Sequence, residues 1–217
     1  MSRTEPKILA DFADRFAAAH TALLIIDMQK DFCLDGYATS KAGRPLAAAQ
    51  SIIPTLETLL AAARQSGVLV CHVGFWTLND HRSDSAPWLA QRRRSAYASD
   101  RIAMEDTEGA EFIAQLSPQP GEPIIRKHRY SAFKGTDLEM ALRAADIRSV
   151  VATGVSTNVC VESTLRDAFE TSFYTALPKD ACASWDADLH AATLRTADAR
   201  FGTVCDSADL IKTWTGA

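Results

Sequence analysis

Apolar residues along the chain fall into short β-branched or leucine-rich runs, separated by segments in which they recur every three or four positions. Residues 21–27 (TALLIID) form the first run. After a glycine-bearing loop, residues 45–65 carry apolar side chains at helical spacing until Ser66 and Gly67 interrupt them. Further strands are predicted over 68–73, 123–127, 149–153, 172–177 and 203–205, and helices over 108–116, 137–145, 158–170, 188–200 and 208–214. Residues 7–19 predict one more helix, outside the sheet or against a partner subunit. The stretch 74–101 mixes aromatic, proline and charged residues, which suits a long loop with short helical pieces; loops of that length usually serve a site.

Strand, crossover helix and strand in repetition imply an α/β fold with a parallel sheet and helices on both faces, because parallel strands need long right-handed crossovers. We read residues 1–217 as a single domain, with 1–19 as its N-terminal helical extension. Such sheets place their sites at the carboxyl ends of the strands. That rule selects Asp27 at the end of the first strand, Lys127 at the end of IIRK, and Cys160 just beyond SVVATG.

With 217 residues and 47% hydrophobic content the chain can bury one sizeable core. Its formal net charge of -4 gives no broad basic surface, which argues against nucleic acid and anionic membranes as partners and for a small molecule. No apolar run approaches the roughly 20 residues of a membrane span, and MSRTEPKILADF lacks the apolar block of a secretory signal, so a cytoplasmic location is expected. Cys33, Cys71, Cys160, Cys182 and Cys205 are odd in number, far apart and free of CxxC spacing, which makes free thiols the expectation.

Cys160 stands where a strand gives way to a helix. A thiol in a helix's first turn feels the positive end of the macrodipole and unpaired N–H groups, both favouring thiolate. Gly154 can supply the backbone freedom to leave the strand sharply, and Thr157 or Asn158 can cap the helix. With Asp27 as base and Lys127 as neighbouring cation, the set suits attack on an amide carbonyl: the carboxylate takes the thiol proton, then protonates the departing nitrogen. Backbone N–H groups of Ser156 and Cys160 would meet the oxyanion. A redox role would call for a resolving CxxC or a GxGxxG turn, and neither is present.

Candidate pocket walls are Phe75 and Trp76 after the second strand, Trp88 in the long loop, and Phe32 and Tyr130 beside the catalytic positions; ordinary packing is the alternative for each. Arg129 follows Lys127 by two positions, so in an extended segment it would point the same way and could clamp a carboxylate, unless it serves a surface ion pair. Asn158 lies near the nucleophile and is read as a turn group or substrate ligand. Arg92, Arg93 and Arg94 read as a solvated helix face, although one turned inward would select an acidic substrate.

Three segments in order, TALLIIDMQKDFC, RKHRYSAFKGTDLEMAL and VVATGVSTNVCVESTLRDAFE, closely resemble the signatures of the isochorismatase-like cysteine hydrolases, nearest to the ureidoacrylate, N-carbamoyl amide and biuret hydrolase branch. The resemblance implies a three-layer α/β/α fold with a six-stranded parallel sheet, Asp27, Lys127 and Cys160 as a catalytic triad, a cis peptide between Val155 and Ser156 shaping the oxyanion hole, and dimers or tetramers. Nicotinamidases of this superfamily carry an Asp-x-His and a second His for a divalent metal. Here His72 and His81 lack that spacing, so neither metal nor other cofactor is expected. Isochorismatases proper lack the cysteine. The expected activity is therefore metal-independent hydrolysis of a small amide or ureide, with a nicotinamidase-like amidase or an idle binding protein of the same fold as alternatives.

Overall fold

The computed structural model describes residues 4–216. Seven strands form one parallel sheet: β1 (Thr21–Ile26), β2 (Leu69–Phe75), β3 (Ile124–Lys127), β4 (Ser149–Val155), β5 (Tyr174–Pro178), β6 (Cys182–Ala183) and β7 (Thr203–Cys205). Six of them run in the order β3-β2-β1-β4-β5-β7, and β6 pairs with the end of β4. The six-stranded expectation thus holds for the main path. The two-residue β6 adds a seventh strand too short to leave a pattern in sequence.

Among the described residues the helices of seven residues or more are α1 (Ile53–Gln65), α2 (Ala86–Arg92), α3 (Leu138–Ala144), α4 (Glu162–Glu170), α5 (Ala187–Arg200) and α6 (Ser207–Thr215). Every residue of β1 and β4 is buried, as strands covered on both faces require. Alternation along β1 sends Leu23 and Ile25 to one face, against Leu56, Leu59 and Leu60 of α1 and Leu210 and Trp214 of α6. Ala22, Leu24 and Ile26 meet Leu138 and Leu142 of α3 and Leu165 and Ala168 of α4 on the other. Each such leucine or isoleucine contributes about 1.5–3 kcal/mol by leaving water. Helix α6 is closed at its start by a capping box between Asp206 and Asp209, and near its end the Trp214 indole N–H donates to the Phe16 carbonyl at 3.0 Å.

Three expectations change. The 45–65 pattern divides into a short helix, Ala47–Ser51, and α1, whose first turn contains Pro54. Residues 108–116 make two 3₁₀ turns, Glu108–Ala110 and Ala114–Leu116, in place of a helix. There Gly109 lies so close to Asp31 that a Cβ would stand 2.3 Å from its carboxylate oxygen, and that buried carboxylate accepts from the Ala38 and Ala103 amides. The N-terminal extension holds one helical turn, Phe12–Arg15, and one 3₁₀ turn, Ala18–His20; the Leu9 and Ala10 carbonyls accept from the Arg15 guanidinium. The first three residues of that expected extension lie outside the described residues.

Candidate active site

Asp27 follows β1 with a left-handed backbone (φ 55°), and its amide donates to the Val73 carbonyl of β2 at 2.8 Å. Lys127 is the last residue of β3. Cys160 sits in the wide π-type turn Thr157–Val161 between β4 and α4. Gly154 has φ +100° and pairs with Ile26, where a Cβ would meet the Ile26 carbonyl oxygen at 2.1 Å; no other residue fits. The peptide between Val155 and Ser156 is cis.

These strand ends bring the three side chains together. Lys127 Nζ donates to Asp27 Oδ2 at 2.8 Å and lies 3.4 Å from Cys160 Sγ. Asp27 and Lys127 are buried, and Cys160 keeps 9% of its surface, facing a cavity. The second carboxylate oxygen, Asp27 Oδ1, is buried without a hydrogen-bond partner.

Electrostatics set the resting protonation. Burial raises the Asp27 pKa, with the Lys127 charge opposing it. Burial alone would lower Lys127, yet Asp27 and Cys160 together hold it above the ordinary ammonium range. For Cys160, burial and then the Asp27 charge push the thiol far up against the pull of Lys127. Both effects favour the protonated sulfur, opposing the helix start and Lys127, which favour thiolate.

The cavity measures about 510 Å³ and is lined by Asp27, Phe32, Phe75, Tyr130, Ser156, Asn158 and Cys160 among others. Phe75 also sets its ring 5.1 Å from Lys127 Nζ. Asn158 Oδ1 accepts from the Ser156 and Ser184 hydroxyls at 2.8 and 2.7 Å, tying the turn to the segment after β6. Trp88 packs against Phe75 and Tyr130 behind this wall.

Trp76 and Arg129 stand elsewhere. Strand alternation turns Trp76 away from Phe75, onto Phe112 and beneath Arg126. Because β3 ends at Lys127, the two-residue period does not reach Arg129, whose Nη1 donates to the Ser83 and His128 carbonyls while its guanidinium covers Trp88. Of the three consecutive arginines, Arg92 faces the cavity. Exposed Arg93 pairs with Asp100, and Arg94 bonds Gln91.

Sequence reasoning missed Arg44, Tyr97, Trp185 and Leu189, which complete the cavity. Trp185 follows β6, so the carboxyl-end rule would have found it had that strand been visible; Arg44 and Tyr97 come from loops with no periodic signal. His72 is buried with Nε2 2.8 Å from Glu122, and His81 bonds Asp84. Among the described residues no group of three or more His, Cys, Asp or Glu is disposed to hold a metal ion.

Comparison with known proteins gives a consistent result. The isochorismatase domain family model matches residues 21–209. A ureidoacrylate amidohydrolase RutB of Variovorax paradoxus is 33% identical over 213 residues, covering 92% of this chain and 83% of the relative. Its counterpart in Stutzerimonas stutzeri is 35% identical over 176 residues, covering 76% and 70%. Among solved structures, a cysteine hydrolase from Pseudomonas syringae pv. phaseolicola superposes with TM-score 0.80 at 27% identity over 100% of this chain and 99% of that one. An N-carbamoylsarcosine amidase from Thermoplasma acidophilum gives 0.69 at 26%, over 87% and 96%.

Proposed function

The chain belongs to the isochorismatase family, and from that membership we propose that it is a cysteine amidohydrolase cleaving a C–N bond of a small ureide or linear amide through an acyl-enzyme on Cys160. The observation that carries this reading is Lys127 Nζ held between Asp27 Oδ2 and Cys160 Sγ at the cavity floor, with Asp27 Oδ1 left unpartnered.

Cys160 Sγ attacks the carbonyl carbon as its proton passes to Asp27. Lys127 stabilises the sulfur's developing negative charge in a site where water screens little. The Ser156 and Cys160 amides meet the oxyanion. Collapse breaks the C–N bond, and Asp27 returns the proton to the departing nitrogen. Water, deprotonated by Asp27, then attacks the thioester; the thiolate leaves and is reprotonated. A ureide that expels its substituted nitrogen leaves a carbamoyl-cysteine, whose hydrolysis gives carbamate and finally ammonia and carbon dioxide. Phe32, Phe75, Tyr130 and Asn158 wall the substrate.

Relatives named for ureidoacrylate and N-carbamoylsarcosine support ureide chemistry. A nicotinamide-type reading has less support, because His72 and His81 are committed to Glu122 and Asp84. We place the enzyme in the cytoplasm as a homo-oligomer; among the described residues no helix is long and apolar enough to cross a membrane, and exposed Ile124, Met140 and Phe169 offer apolar surface for contact between copies.

The test is ammonia release from ureides, carbamoyl amino acids and nicotinamide, with and without chelator. Ureide turnover insensitive to chelator is expected. Turnover confined to nicotinamide and abolished by chelator would overturn the reading.

A further inference from the structure

The cavity wall opposite in charge to the catalytic carboxylate is built from two guanidinium groups. Arg44, in the loop before Ala47–Ser51, is packed between the rings of Tyr97 and Trp185, 5.0 and 4.9 Å from their centroids. Its Nε is buried and has no hydrogen-bond partner, and Nη2 has the Ser95 hydroxyl at 3.3 Å. Among the described residues Arg44 has no carboxylate within ion-pair reach, whereas Arg92 stands 3.5 Å from Asp84. Arg92 faces the same cavity; its Nη2 donates to the Ser99 carbonyl at 2.8 Å, and its buried Nη1 has no hydrogen-bond acceptor.

Arg44 is half-buried and has no acidic partner among the described residues, and an anion entering the cavity would supply one. The terminal Nη1 and Nη2 form a planar two-donor edge that matches the two oxygens of a carboxylate, with the Ser95 hydroxyl able to turn and donate as well. Asp186 lines the same cavity and spends Oδ1 on the Leu189 amide; its charge opposes a doubly negative phosphoryl group more strongly than a singly negative carboxylate.

We infer that Arg44, seconded by Arg92, determines substrate specificity by gripping a carboxylate in the cavity that Cys160 also lines, and that Tyr97 and Trp185 hold its guanidinium in place. The inference rests on the amidohydrolase reading and narrows it: the substrate is a short ureido- or carbamoylamino-acid, and neutral amides of the same size are poor ligands.

The experiment measures kcat and KM for 3-ureidoacrylate and its methyl ester with the wild-type enzyme, Arg44→Ala and Arg44→Lys, and in parallel the calorimetric affinity of both compounds for Cys160→Ala with and without Arg44→Ala. Arg44→Ala is expected to raise KM for the acid roughly 10- to 100-fold, to affect kcat far less, and to change the ester much less than the acid. Arg44→Lys should recover part of the loss, since it keeps the charge without the planar fork. Equal losses on acid and ester, or an unchanged acid-to-ester ratio, would overturn the inference. If the wild type hydrolyses neither compound, the amidohydrolase reading fails on its own and the affinities decide: acid bound more tightly than ester, with the advantage lost in Arg44→Ala, upholds anion selection, and equal or no affinity refutes it.

Discussion

Lys127 reaches Asp27 across the end of an intervening strand: the two residues terminate β3 and follow β1, β2 lies between them, and the Phe75 ring of β2 covers the ammonium that closes the 2.8 Å pair. A pair buried this completely is costly to break by halves, because the remaining charge has neither water nor partner. Lys127→Met should lower unfolding free energy by about 3–5 kcal/mol in urea titrations and abolish turnover. Asp27→Leu combined with Lys127→Met should recover part of that stability and none of the activity. Additive stability losses in the double variant would mean that the pair is not coupled.

The pH dependence follows from the same carboxyl. Asp27 must be ionised to accept the thiol proton, and burial raises its pKa. The acid limb of kcat/KM should therefore lie above the ordinary aspartate value of about 3.9, with activity falling as pH drops through it. Removing the Lys127 charge, which opposes that rise, should move the limb of any residual activity further up. A limb at the ordinary carboxylate value would contradict this assignment.

Away from the site, Glu122 is bound by Arg64 at 2.7 Å and by buried His72 at 2.8 Å. Burial pushes its carboxyl up, but Arg64, the Gln119 amide and His72 outweigh it and bring the pKa down to about 2 from 4.5. A depressed carboxylate stabilises the fold above its unfolded pKa and loses that contribution as pH falls from 4.5 toward 2. Urea unfolding at several pH values should show Glu122→Gln less stable by up to about 3 kcal/mol at neutral pH, with the gap closing in that acid window. A gap independent of pH would point to lost packing instead.

Gly154→Ala should be among the most damaging single-methyl changes in the chain. The added Cβ meets backbone oxygen of the neighbouring strand at 2.1 Å, at a φ of +100° that alanine rarely adopts. A loss of at least about 3 kcal/mol in thermal or urea unfolding is expected. A near-neutral effect would mean that β1 and β4 can separate at the very place where they carry the site.

Strands covered on both faces announce themselves as continuous apolar runs, so β1, β2 and β4 were legible, and with them the positions of Asp27 and Cys160; Lys127 ends the edge strand β3, a short run with every second residue exposed. The direction of a side chain beyond a strand's last residue was not legible. Arg129 shows this, since the alternation that would have turned it inward stops two residues earlier. Arg92 shows the complementary case: three consecutive arginines look alike in sequence, and the local geometry at the end of α2 decides which one meets Asp84 and the cavity. The cavity's aromatic and cationic wall comes from Arg44, Tyr97 and Trp185, distant in sequence and joined by stacking, a relationship no local pattern encodes.

The most direct test of covalent catalysis is rapid-quench mass spectrometry of the wild-type enzyme turning over a ureide. A carbamoyl or acyl adduct is expected, confined to the peptide containing Cys160, forming and decaying at rates compatible with kcat and absent from Cys160→Ser, which should fold normally and release no ammonia. Undiminished ammonia release by Cys160→Ser, without any adduct on the wild-type chain, would contradict covalent catalysis.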